Sequence, residues 1–163
     1  MSMKYYDPVV SDESVSAVTA TPSVELGARR YVGAEEYVYV YNAGGADVYP
    51  KYGVKFITGA SGYSIANTAL TDVASPFCGV IKHATLTAGS YGWCMTKGFT
   101  SVIVNSALTF DYRALALGLG GGFAESVPVT VATHYGTFAV VAQALGVNTG
   151  AAGTAYARIF SGA

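Results

Sequence analysis

Residues 79–105 restrict the fold class more than any other part of this chain. The stretch reads GVIKHATLTAGSYGWCMTKGFTSVIVN, short β-rich runs alternating with small residues. Val80-Ile81 and residues 101–104 are rich in β-branched side chains, which suit a pleated, half-buried surface. Trp93 and Met95 are spaced by two, as are Cys94 and Thr96, so the two pairs face opposite sides of a strand. Ala88-Gly89-Ser90 and Lys97-Gly98 have the composition of tight reversals. The stretch is therefore predicted as strand, turn, strand, turn, strand. Val80, Trp93, Val102 and Val104 are its expected core, with the indole as the largest single contribution.

The same pattern extends in both directions. Tyr37, Tyr39 and Tyr41 alternate with Val38 and Val40. The valines suit a core face, and the tyrosines suit a face that is half wet or pressed on another chain. With Arg29 and Arg30, these three tyrosines are the candidate residues for contact with another subunit. Residues 48–57 read as a strand with Pro50 marking an edge or a bulge. Residues 63–69 read as a short strand and residues 106–113 as extended. Residues 114–117, Ala-Leu-Ala-Leu, have real helix propensity but too little length, and Gly118 ends them. Residues 127–132, 137–144 and 155–160 complete the series, the last with Tyr156, Arg158 and Phe160 on one face. About nine short strands at roughly ten-residue spacing predict an all-β fold, a small β-barrel or β-sandwich.

Composition narrows the function. Charged residues make up 12 % of the 163, against about a quarter in ordinary globular proteins. So little charge leaves a neutral surface, and neutral surfaces associate. A net charge of −1 gives no footprint for nucleic acid. No apolar run approaches the roughly 20 residues that span a bilayer, and the first residues lack a signal-peptide core, so neither a membrane nor export is expected. Much of the charge lies early: residues 1–36 include Lys4, Asp7, Asp12, Glu13, Glu25, Arg29, Arg30, Glu35 and Glu36. Residues 9–24 have no helical stripe and no bulky aromatic, so they bury too little to offset their ordering entropy alone. The expected organisation is an extended N-terminal arm, 1–34, and a β-domain, 35–163. The arm is either a segment that orders on a partner or a leader without a role.

No catalytic constellation emerges. Ala88-Gly89-Ser90-Tyr91-Gly92 is one residue off the G-x-S-x-G elbow, and Asp111 and His134 follow in the chain order of a hydrolase triad. An elbow needs a helix after the serine, and a strand pattern stands there. The glycines at 118 and 120–122 lack the Gly-Lys-Ser/Thr ending of a phosphate loop, and Phe123 replaces the third glycine of a dinucleotide fingerprint. His83, His134, Cys78 and Cys94 show no metal-ligand spacing. The two cysteines are expected as buried thiols, since pairing requires neighbouring strands in register. A tyrosine platform for single strands or sugars is conceivable on pattern alone, but the basic groove that nucleic acid needs is absent. No catalytic residue, cofactor or metal is expected, and the chain is not expected to be an enzyme.

Several runs together resemble a known family. Gly79-Val80-Ile81, then Ala84-Thr85-Leu86-Thr87-Ala88-Gly89, then Tyr91-Gly92-Trp93 and Lys97-Gly98 are similar to the barrels of tailed-bacteriophage capsid decoration proteins, also called cement or head-stabilising proteins. Tyr41-Asn42-Ala43-Gly44-Gly45 before Val48 resembles their opening turn, and residues 138–145 with 155–160 resemble their closing pair. The resemblance spans residues 37–160. It implies a structural virion protein, made in the bacterial host cytoplasm, that binds the outside of an icosahedral head. The implied partners are the major capsid protein and further copies of itself, often as a trimer. Other phage structural subunits (minor capsid, tail or fibre base) and a carbohydrate-binding β-sandwich using Trp93 and the tyrosines are the alternatives.

Overall fold

The computed structural model describes residues 14–57, 62–67, 77–104, 114–117, 121–125, 142–144 and 153–160. They form eleven strands: β1 (Val18–Thr19), β2 (Arg29–Val32), β3 (Glu35–Asn42), β4 (Gly53–Phe56), β5 (Ser64–Asn67), β6 (Phe77–Val80), β7 (Tyr91–Val104), β8 (Ala114–Leu117), β9 (Phe123–Glu125), β10 (Ala142–Ala144) and β11 (Gly153–Phe160). There is no α-helix among the described residues.

The fold is built on β7, which is 14 residues long. Its first half pairs antiparallel with β3, through Val38↔Cys94 and Tyr39↔Trp93. Met95 also pairs with Val80 of β6. The order β7-β6-β4-β5-β3 returns to β7 and closes a five-stranded barrel. The second half of β7 pairs antiparallel with β11, from Lys97↔Phe160 to Val104↔Gly153, and touches β9 through a parallel pair, Val104↔Phe123. The order β7-β9-β8-β10-β11 then returns to β7 as a second circuit. The fold is all-β and a small barrel, as the strand spacing predicts.

Two apolar clusters lie on opposite faces of the β3–β7 pair. One fills the first barrel and takes Val38 and Val40 from β3, Val54 from β4, Ile65 from β5, Cys78 from β6 and Cys94 from β7, with Val48, Ile81 and Leu86 from the loops. The other holds Tyr37, Tyr39, Val80, Trp93, Met95, Val102, Val104, Phe123, Ala155, Ala157 and Ile159. Val80, Trp93, Val102 and Val104 thus sit in one cluster. Cys78 and Cys94 lie on neighbouring strands as free thiols with their Sγ atoms 3.8 Å apart, and burial pushes the Cys94 thiol up.

Several expectations are corrected. Lys97-Gly98 does not reverse the chain, and residues 91–104 form one strand. Glu36 opposes Lys97 while Tyr37 opposes Met95, so Thr96 is an extra residue, a β-bulge. The insertion shifts the side-chain phase by one. That is why odd-numbered Trp93 and Met95 share a cluster with even-numbered Val102 and Val104. Gly98 follows at φ +134°, a backbone that side chains rarely tolerate, with Glu35 alongside.

Tyr37 and Tyr39 do not lie on an exposed face. They oppose Met95 and Trp93 directly, share their face, and are fully buried. The valine–tyrosine alternation is real, but both faces of β3 are covered. Over its described part, residues 14–34, the expected arm is paired into the sheet. Val18-Thr19 pairs with β7 as β1, and Arg29–Val32 pairs with β3 as β2. Val15, Val24, Leu26 and Ala28 pack on the second cluster. The composition of this segment underestimates it, because a neighbouring sheet supplies the partners that the segment lacks on its own.

Residues 114–117 are strand, not helix: β9 and β10 offer ladder bonds on both sides, and one turn of weak propensity does not compete. The expected strand at 48–57 is shortened to Gly53–Phe56, because Pro50 sits in a turn closed by Tyr52 N donating to Tyr49 O at 3.3 Å. The extended readings of 106–113 and 127–132 lie outside the described residues.

Gly79 is required where β6 meets β7. A Cβ there would stand 2.3 Å from the Met95 carbonyl oxygen and 2.7 Å from Cys94 Sγ. Backbone cannot give way as a flexible side-chain tip can. Gly79→Ala is expected to cost about 2–4 kcal/mol, in the range of overpacked cores. Urea unfolding should show a lower midpoint with an unchanged slope; an unshifted midpoint would contradict the close approach of these strands.

Candidate interaction face

Alternation along β11 puts Ala155, Ala157 and Ile159 inward and Tyr156, Arg158 and Phe160 outward. On β7 the bulge turns Phe99 outward as well. The result is an aromatic face on the β7–β11 pair, with Phe99 42 %, Tyr156 52 % and Phe160 36 % exposed. Phe99 lies opposite Arg158, and Ser101 opposite Tyr156. The Phe99 and Tyr156 rings stack at 6.2 Å between centroids and 11° between planes. The Arg158 guanidinium carbon is 5.9 Å from the Phe99 centroid, a cation–π distance. Tyr31 and Val32 of β2 are exposed too.

A groove of about 610 Å³ runs along the margin of this face. Val32, Ala34, Phe99 and Tyr156 form its apolar walls, residues 100 and 101 add to its lining, and Lys51, Glu35, Lys82 and His83 bring charge and polarity. Glu35 forms an ion pair with Lys82 and accepts a hydrogen bond from the Tyr37 hydroxyl. That hydroxyl lies 3.0 Å from His83 Nε2, and the two rings stack at 5.9 Å. Burial acts to raise the Glu35 carboxyl, but the hydrogen bonds from Lys82 and Tyr37 and the Lys82 charge outweigh it, so the group titrates below its usual range. Burial, then the hydrogen bond and charge of Glu35, push the Tyr37 phenol up. Burial and the Lys82 charge hold His83 below its ordinary value, against a smaller pull from Glu35. The Tyr37 phenol thus joins the Glu35 carboxylate, which is paired with Lys82, to the His83 imidazole.

The sequence candidates lie elsewhere. Tyr37 lies behind the groove, its hydroxyl meeting the lining residues Glu35 and His83. Tyr39 is internal, and its hydroxyl hydrogen-bonds Thr19 Oγ1 and Ser23 Oγ. Tyr41 is half-buried and packs on Tyr91, with ring centroids 4.7 Å apart and planes tilted by 35°. Arg29 forms an ion pair with Glu36 across β2 and β3, and Arg30 is half-buried opposite Tyr37. None of the five lines the groove. The outward set of Tyr156, Arg158 and Phe160 was readable from the alternation of residues 155–160; Phe99 was not, because its phase depends on the bulge. Trp93 is 5 % exposed and so is no sugar platform. Ser90 ends the turn before β7, its hydroxyl 2.6 Å from Thr87 Oγ1, while Asp111 and His134 lie outside the described residues. Among the described residues no three His, Cys, Asp or Glu side chains gather as metal ligands.

No protein-family model matches this chain, and no curated protein matches it. Among solved structures, the chain is similar to the crystal structure of the head fiber gp8.5 N base of bacteriophage phi29. The identity is 13 % and the TM-score 0.49, over 76 % of this chain and 93 % of that one.

Proposed function

We propose that this chain is a structural subunit of a tailed-phage particle, which binds the outside of the icosahedral head and cements neighbouring capsomers. The observation that carries the reading is the aromatic face of β7 and β11. Exposed rings stacked on each other and on Arg158 give a large contact area at low side-chain entropy cost, the composition favoured at protein interfaces. The low overall charge suits a surface meant to be covered. The runs that resemble decoration proteins form β6, the loop after it and β7, the strand that presents Phe99. The partners in this reading are the major capsid protein and further copies of the chain, as a trimer. Many copies on one particle turn modest contacts into firm attachment. The role is mechanical, with no catalysis, cofactor, nucleic acid or membrane.

The test is co-sedimentation of the purified protein with expanded empty heads assembled from the major capsid protein of the same phage. Saturable binding is expected. Phe99→Asp and Tyr156→Asp should each weaken it about tenfold or more, as interface aromatics do, with the melting temperature unchanged because both rings are exposed. Absence of binding to heads, or binding indifferent to both substitutions, would overturn the proposal. Binding only to a tail or fibre component would assign the chain to a fibre base or another minor virion subunit.

A further inference from the structure

The turn at residues 49–52 holds a residue that its backbone disfavours. Pro50 occupies the second position, Lys51 the third, and Tyr52 N donates to Tyr49 O. Lys51 has φ 76°, making it the one non-glycine residue with positive φ among the described residues. A turn with proline second and positive φ third is of type II, where glycine or asparagine is the usual third residue. The chain has 20 glycines and places a lysine here. The backbone at this point is also fastened on both sides: Lys51 N donates to Ile81 O at 2.7 Å, and Ile103 N donates to Lys51 O at 3.0 Å. The unfavourable conformation is thus imposed by the surrounding strands, and it holds the lysine at the lip of the groove.

The charges of the groove are unequal. Lys82 is neutralised by Glu35, whose carboxyl is further held by Tyr37. Lys51 has no carboxylate partner among the described residues. Among the described residues its charge is the uncompensated one in the groove, whose apolar walls include Val32, Phe99 and Tyr156. We propose that Lys51 determines partner specificity in this groove, and that the partner is a protein segment presenting a carboxylate side chain next to an apolar one. The ammonium takes the carboxylate and the aromatic walls take the apolar neighbour.

The inference rests on the capsid-binding reading and names the chemistry of its partner. It is tested with the full chain and the same empty heads. Lys51→Gly and Lys51→Asn suit a left-handed backbone, so both should keep or raise the melting temperature. Both should bind heads about tenfold more weakly, the effect of losing one charge-assisted contact. Lys51→Arg keeps the charge and should stay within about threefold of the parent. Binding of the parent should weaken with salt, and that of Lys51→Asn should weaken less. If the parent binds heads and the Gly and Asn variants bind equally well, this inference is wrong while the capsid reading stands. If the parent does not bind heads, both fall. If glucuronic acid titrated into the protein shifts the Lys51 and Tyr156 NMR signals while head binding ignores Lys51, the groove belongs to sugars and the inference is overturned.

Discussion

Trp93→Ala is expected to lower the unfolding free energy by about 3–5 kcal/mol, the range for truncating a large aromatic in a core. The indole is 5 % exposed and lies against Tyr39, with ring centroids 5.0 Å apart at 60°. It shares a cluster with Val80, Met95, Val102 and Val104. The space beside it is already nearly filled. A void of about 10 Å³ is bounded by residues 15–18, Ile81, Ala84, Leu86 and the indole itself. These surroundings belong to strands and bonded loops, which collapse poorly into a vacated site. One internal control sharpens the test. Trp93 Nε1 is buried without a hydrogen-bond partner among the described residues, and a buried unpaired donor costs about 1–3 kcal/mol. Trp93→Phe removes that donor and keeps most of the apolar volume, so it should lose far less than Trp93→Ala. Urea unfolding of both variants decides the matter. Near-parental stability of Trp93→Ala would mean that the cluster assignment is wrong.

A chain that begins at Glu35 should not fold. Its loss removes β1 from the end of β7 and β2 from β3. It also uncovers the face on which Val15, Val24, Leu26 and Ala28 pack. At roughly 1–2 kcal/mol for each partly buried apolar side chain, these four represent about 4–8 kcal/mol, comparable with the whole stability of an ordinary domain. The hydroxyl of buried Tyr39 loses Thr19 and Ser23 as partners, and two backbone bonds between Gly27, Ala28 and Tyr39 go with them. Circular dichroism should show no cooperative melting transition. A shortened chain that melts like the parent would restore the separate arm that composition alone suggested, and would separate residues 14–34 from the stability of the barrel.

The aromatic face was half legible. Tyr156, Arg158 and Phe160 alternate with small or aliphatic residues, and that alternation places them together on one side of a strand whatever the strand packs against. The groove was not legible at all. Its charged residues come from the β2–β3 hairpin, the turn at Lys51 and the loop after β6, segments remote in sequence that meet only because β7 is paired with β3 along one half and β11 along the other. Lys51 itself is invisible as a special residue until its φ is known.

What the sequence by itself determined is the class of structure: period-two runs broken by glycines allow strands and exclude helices of useful length. It also determined that Trp93 and Met95 oppose Cys94 across a strand, since that follows from chain geometry alone. Only the tertiary structure decided which faces are buried. Tyr37 and Tyr39 alternate with valine in a way that suits a half-exposed strand. They are internal because β3 is covered on both sides, by the barrel interior and by the cluster around Trp93. Periodicity reports that two faces differ; what covers each face depends on strands far away in the chain. The extra residue at Thr96 makes the same point within one strand. A bulge is defined by its partner's register, so no reading of β7 alone could show that Val102 and Val104 turn to the side of Trp93 while Phe99 turns outward.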